Sequence, residues 1–136
     1  MGKHLFQLRF YEDADYEMIS DWFDAHGAEA PPQAILPKLG VICTKNGEDV
    51  AAIWLYMDNS VGVCWAEYAV TRPKSSVKEA TAALTHLFVY LKQAARLMDY
   101  GLMRVNTLPA IAKGLKKHNF IQDKRQLVSL YGTTAE

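Results

Sequence analysis

The chain has 136 residues, half of them hydrophobic and 22% charged, and its 15 Lys and Arg are balanced by 15 Asp and Glu. This length suits one domain around one core, and the composition excludes a disordered chain. The neutral balance removes any general electrostatic attraction to nucleic acid or to an anionic membrane, and no apolar run of about 18 residues is present to span a bilayer.

The opening MGKHLFQLRFYEDAD turns acidic before an apolar stretch long enough for a signal peptide, so a cytoplasmic location is expected. Phe6 stands where a myristoylation signal needs Ser or Thr. Within this stretch HLFQLRFY sets Phe6, Leu8 and Phe10 against Leu5, Gln7 and Arg9, the alternation of a strand with one buried face. Asp13 or Asp15 can then cap a helix carrying Tyr16, Ile19, Trp22, Phe23 and His26 at helical spacing, and Gly27 ends it.

From Ala28 to Pro37 three prolines, Pro31, Pro32 and Pro37, predict a loop that covers a site. A strand through Thr44, an Asn46-Gly47 turn and a strand from Val50 to Met57 make a hairpin. After a turn at Asp58-Asn59-Ser60, a fourth strand from Val61 to Thr71 alternates Val63, Trp65, Glu67 and Ala69 against Cys64, Ala66, Tyr68 and Val70.

The period then changes. Ala80, Leu84, Leu87, Leu91, Ala94 or Ala95, and Met98 form one stripe of a long helix, and Ser76 with Glu79 predicts a capping box at its start. Gly101 ends this helix. Leu102 to Val105 reads as a short strand, Pro109 opens a last helix that Asn119 closes, and Phe120-Ile121 with Leu127 to Tyr131 predicts a closing strand or hairpin. This alternation predicts an α/β or α+β sheet flanked by helices.

Cys43 and Cys64 fall in apolar strands and read as buried, reduced thiols. His4, His26, His86 and His118 are too scattered to gather a metal on one element. Lys113, Lys116, Lys117, His118, Lys124 and Arg125 form a basic stretch without interleaved aromatics, a solvated face rather than a nucleic-acid platform, and Trp22, Trp54 and Trp65 read as packing residues.

The order of elements, with EYAVTRP running into the long helix and NTLPAIAKGLKKHNF near the end, resembles the GNAT superfamily of acyl-CoA-dependent N-acyltransferases over almost the whole chain. Asn106, Ala112 and Asn119-Phe120 stand for that family's asparagine, alanine-bearing helix and terminal Gly-Phe. The resemblance implies a single domain over residues 1–136, with a mixed, mostly antiparallel sheet of about six or seven strands flanked by helices. It implies acetyl-CoA between the fourth and fifth strands, pairing with the backbone at Tyr68, Ala69 and Val70. Its pyrophosphate would sit on Lys74, Ser75, Ser76, Val77 and Lys78 at the helix start, and Asn106 would face the same cofactor. Glu67 matches the position of a general base that takes the proton of the attacking amine, and its apolar strand face predicts a pKa raised by desolvation.

Two positions depart from the family. Its phosphate loop carries glycines where this chain reads RPKSSVKEA, and its acid tyrosine on the last helix is matched by Leu115, which holds no proton to give. Two functions therefore stand side by side: an N-acetyltransferase for an unidentified amine, with a homodimer allowed, or a non-catalytic fold relative with a binding or assembly role, of the kind found among bacteriophage-encoded proteins. Neither reading calls for nucleic acid, a membrane or a metal.

Overall fold

The computed structural model describes residues 5–135. His4, read above as the start of the first strand, lies outside them. Five strands, β1 (Phe6–Phe10), β2 (Gly40–Lys45), β3 (Glu48–Met57), β4 (Val63–Thr71) and β5 (Leu102–Val105), form one sheet in chain order. All neighbours are antiparallel except β4 and β5, which are parallel because a long helix connects them. The helices are α1 (Tyr16–Ala25), α2 (Val77–Leu97) and α3 (Pro109–Leu115).

Each face of the sheet has its own core. Ile19, Trp22 and Phe23 of α1 pack with Ile42, Ala52, Trp54 and Val70 on one side. On the other, Ala83, Leu84, Leu87, Phe88, Leu91 and Ala95 of α2, with Leu115 of α3, cover Val41, Cys43, Ile53, Leu55, Cys64 and Ala66. The predicted helical stripes therefore face the sheet, with Ala95 rather than Ala94 turned inward. Met98, at the helix end, is 41% exposed.

Backbone chemistry explains the turns. Asn46 and Gly47 both take positive φ, 54° and 78°, as a tight hairpin turn between β2 and β3 requires. Gly40 is needed for a different reason. A Cβ there would collide with the Trp54 indole nitrogen and stand 2.6 Å from Trp54 Cδ1, so its missing side chain lets the buried indole lie across β2.

Three expectations are corrected. Among the described residues the sheet has five strands, not six or seven, because residues 119–135 form no regular structure. Leu127, Val128, Leu130 and Tyr131 have strand propensity, but they are 60–99% exposed; propensity without a buried face does not make a strand. The capping box at Ser76 is half formed, since the Ser76 hydroxyl accepts from Glu79 N at 3.0 Å while the Glu79 carboxylate turns to Arg72 and Lys45. At α1, Asp15 reaches backward to accept from Glu12 N at 2.8 Å and is gripped by Arg9, which outcompetes a forward cap.

Candidate active site

β4 carries most of the candidate site, and its local geometry departs from a plain strand. Ala52 pairs with Val70 and Trp54 with Glu67, so two steps along β3 meet three along β4. The extra residue is a bulge at Tyr68, whose φ of 62° puts a bulky side chain in the left-handed region. Such a conformation costs about 1–3 kcal/mol and persists only where surrounding contacts impose it.

The bulge also reverses the alternation read from the sequence. Before it, Cys64 and Ala66 face α2; after it, Ala69 packs on that side and Val70 joins the α1 core. A strict two-residue period had placed Val70 with Cys64 and Ala66. No glycine marks the bulge, so nothing local in the sequence announces it.

β4 and β5 pair from Val63 with Leu102 to Ala66 with Val105 and then part. Past that point β4 continues to Thr71 while β5 has ended, so among the described residues the β4 edge from Glu67 onward has no strand partner on that side. Glu67 and Asn106 stand at the fork: Asn106 Nδ2 donates to Glu67 Oε1 at 2.9 Å. Burial pushes the Glu67 carboxyl above its ordinary pKa, and the Asn106 hydrogen bond opposes that rise only in part.

Glu67 opens into a pocket of about 350 Å³ lined also by Ile35, Tyr56, Trp65 and Tyr68. Ile35 comes from the proline-rich segment, which thus borders this pocket. Its carbonyl accepts from the Tyr56 hydroxyl at 2.7 Å, fixing the ring. Burial, with smaller contributions from Tyr68 and Glu67, pushes Tyr56 up to about 12, so it keeps its proton. The sequence reading missed Ile35 and Tyr56 and treated Trp65 as packing. A hairpin centred on the Asp58-Asn59-Ser60 turn would set Tyr56 opposite Gly62; the loop instead runs from Asp58 to Gly62 and sets Tyr56 opposite Trp65.

The second half of the candidate site is the β4–α2 loop. Lys74 takes φ 64°, the conformation glycine adopts most readily. Ser75 Oγ donates to Arg72 O at 3.0 Å, closing the turn, and Ser76 caps α2. The first-turn N–H groups of Val77 and Lys78 have no intrahelical partners, by helix geometry, and their side chains are exposed. Arg72 is engaged with Glu48 and Glu79, and Lys45 with Glu79. The side-chain cations beside the turn are therefore Lys74 and Lys78, both exposed.

The structure thus brings Glu67, Tyr68 and Asn106 together at one fork and Lys74, Ser75, Ser76, Val77 and Lys78 at one helix start. Ala69 and Val70 supply the backbone between them. Leu115 is 2% exposed and packs in the core. Tyr100 donates to Asp58 O at 2.7 Å, away from the fork, and Tyr131 is exposed. Cys43 and Cys64 are free and buried, and burial pushes the Cys43 thiol up to about 12, which suppresses any thiolate chemistry. Among the described residues no helix is long and apolar enough to cross a membrane.

No protein-family model and no curated protein matches the chain. Solved structures do. An acetyltransferase from Trypanosoma brucei aligns at 17% identity over 93% of this chain and 100% of its own, with a TM-score of 0.63. An aminoglycoside acetyltransferase from an uncultured soil metagenomic sample, in complex with sisomicin, aligns at 11% identity over 96% and 97%, with a TM-score of 0.68. A predicted acetyltransferase from Clostridium acetobutylicum, solved with acetyl-CoA, aligns at 14% identity over 93% and 96%, with a TM-score of 0.63. At very low sequence identity these matches extend over nearly the whole chain and show a shared fold: this chain has a GNAT-like fold.

Proposed function

We propose that the protein is an N-acetyltransferase that moves an acetyl group from acetyl-CoA to an amine, as a single catalytic domain. The observation that carries this reading is the half-buried Glu67, held by Asn106, at the point where β4 leaves β5. Acetyl-CoA supplies the acyl group as an activated thioester. The residues present are compatible with it. The unpaired β4 edge at Tyr68 to Val70 offers backbone donors and acceptors to an extended amide chain, and the N–H groups of Val77 and Lys78, with the Lys74 and Lys78 ammonium groups, offer an anion a place to settle.

Glu67 takes a proton from the incoming amine, and its raised pKa brings its basicity closer to the working pH. Asn106 aims the carboxylate. Tyr56, Trp65 and Tyr68 line the pocket beside it, and partial burial favours its protonated form.

A second reading, a non-catalytic relative kept for binding or assembly, is favoured by Leu115 in the core and by a lysine at the left-handed position of the loop. Thermal unfolding with and without acetyl-CoA separates the two. A ligand at about 100 times its dissociation constant stabilises the folded state by about 2.7 kcal/mol, a rise of several degrees for a domain of this size. No rise at millimolar acetyl-CoA sinks the transferase reading.

A further inference from the structure

The pocket beside Glu67 has a chemical character that narrows what enters it. We propose that it receives a monocationic amine carried on a small apolar body, in preference to a polyamine, an amino acid or a neutral alcohol. This rests on the transferase reading only for the fate of the amine, since recognition is argued from the pocket walls.

Three of the five lining residues are aromatic, one is Ile35, and the last is Glu67. The Tyr56 and Tyr68 rings lie 6.2 Å apart between centroids and are tilted by 58°, and Trp65 stands opposite Tyr56 across the β3–β4 pair. Aromatic faces carry negative potential and attract an ammonium group, more strongly when water is excluded. Tyr56 is held by its hydrogen bond to the Ile35 carbonyl, and the bulge at Tyr68 sets where that side chain leaves β4.

Charge then selects among amines. One carboxylate lines the pocket, enough for one ion pair; a second and third ammonium on a polyamine would find no further carboxylate there. No Lys or Arg lines it, so the carboxylate of an amino acid would lie unpaired beside Glu67 and be repelled. A neutral alcohol would forfeit both the cation–aromatic attraction and the ion pair. The volume of about 350 Å³ is near the lower end of ligand sites, which suits a body of one ring or a short alkyl chain.

The test is a binding series on the unmodified chain without acetyl-CoA, read by calorimetry and by the Trp65 indole signal in NMR. The probes are 2-phenylethylamine, 2-phenylethanol, spermidine and phenylalanine. The expected result is that 2-phenylethylamine binds at least about tenfold more tightly than each of the other three, a difference of about 1.4 kcal/mol. Equal or tighter binding of any of the three, or no binding of 2-phenylethylamine at millimolar concentration, overturns the proposal. Glu67→Gln should reduce the preference for the amine over the alcohol, because the ion pair is lost while the cation–aromatic attraction stays, and an unchanged preference also overturns the proposal. If that variant does not fold, the ligand series on the unmodified chain still decides. Thermal unfolding with acetyl-CoA is scored separately. An acetyl-CoA shift without amine selectivity leaves the transferase reading standing and removes this one; amine selectivity without a shift does the reverse.

Discussion

Asn106 and Glu67 are joined by a hydrogen bond of 2.9 Å immediately beyond the last paired residues of β4 and β5, Ala66 and Val105. A strand pair that stops hydrogen bonding through its backbone is thus continued for one more step through side chains. The bond does two jobs, closing the base of the fork and giving the Glu67 carboxylate a donor that favours its charged form.

Asn106→Leu separates these jobs from the rest of the site. The Asn106 bond lowers the Glu67 pKa against the larger upward effect of burial, so its removal moves that pKa further up. If Glu67 is the base, the acidic limb of kcat/KM against pH moves to higher pH in the variant, with a loss of roughly tenfold or less at neutral pH from a misaimed carboxylate. An acidic limb that stays in place, with activity intact, removes Glu67 from the mechanism.

Glu67→Gln tests the same carboxylate through stability. Its folded pKa lies above the unfolded value, so the folded state holds the proton more tightly. The stability attached to that proton is fully present below the unfolded pKa and is lost as pH rises through the folded one. At neutral pH the native protein therefore carries a desolvated charge that the glutamine variant lacks, while glutamine keeps an oxygen for Asn106. The variant should unfold at a higher temperature than the native chain at pH 7, and the gap should close as pH falls below about 4, the unfolded range of a glutamate. A variant less stable at pH 7 would show that the ionised carboxylate is better compensated than its burial implies.

Most of the scaffold was legible in the sequence because its signals are local: the Asn46-Gly47 turn, the Ser76 cap, the α1 and α2 stripes and the Pro109 start of α3 all depend on neighbours in the chain. Glu67 was legible too, as a carboxylate on an apolar strand face. The Tyr68 bulge was not, since an extra residue in β4 is defined only against its partner β3. The same holds for Glu79. Its spacing from Ser76 predicts a capping box, but Arg72 and Lys45 from other elements draw the carboxylate away, because cationic donors outweigh a neutral backbone N–H. The Tyr56, Trp65 and Tyr68 walls needed the strand register and the bulge together.

Gly40→Ala tests the packing beneath the site. The new methyl would meet the fully buried Trp54 indole and stand 2.8 Å from Tyr11 Cβ, with no flexible side-chain end to move aside. Overpacking of this kind costs about 1–3 kcal/mol and should lower the unfolding temperature by several degrees. Trp54 is also the cross-strand partner of Glu67, so the displaced indole should shift the Glu67 backbone and its NMR signals. A variant of native stability would mean that the indole has room to turn.

Lys74 gives the sharpest test of the loop. It occupies a left-handed backbone conformation at φ 64°, which costs a residue with a Cβ about 1–2 kcal/mol, and it sits where an anion approaching the start of α2 would meet the chain. Lys74→Gly removes the strain and the charge together, so Lys74→Ala is the proper reference, since it removes the charge and keeps the Cβ. The glycine variant should be the more stable of the two by about 1 kcal/mol or less, because glycine's extra unfolded freedom offsets part of the relief. Acetyl-CoA binding carries the functional half. If the phosphates lie against this turn, the glycine variant binds acetyl-CoA more tightly than the alanine variant, because the backbone N–H groups come closer once the Cβ is gone. Both variants should show a weaker dependence of binding on salt than the native chain, which has the additional ammonium group. Equal affinities and equal salt dependence in all three proteins would place the phosphates elsewhere and take Lys74 to Lys78 out of the binding site.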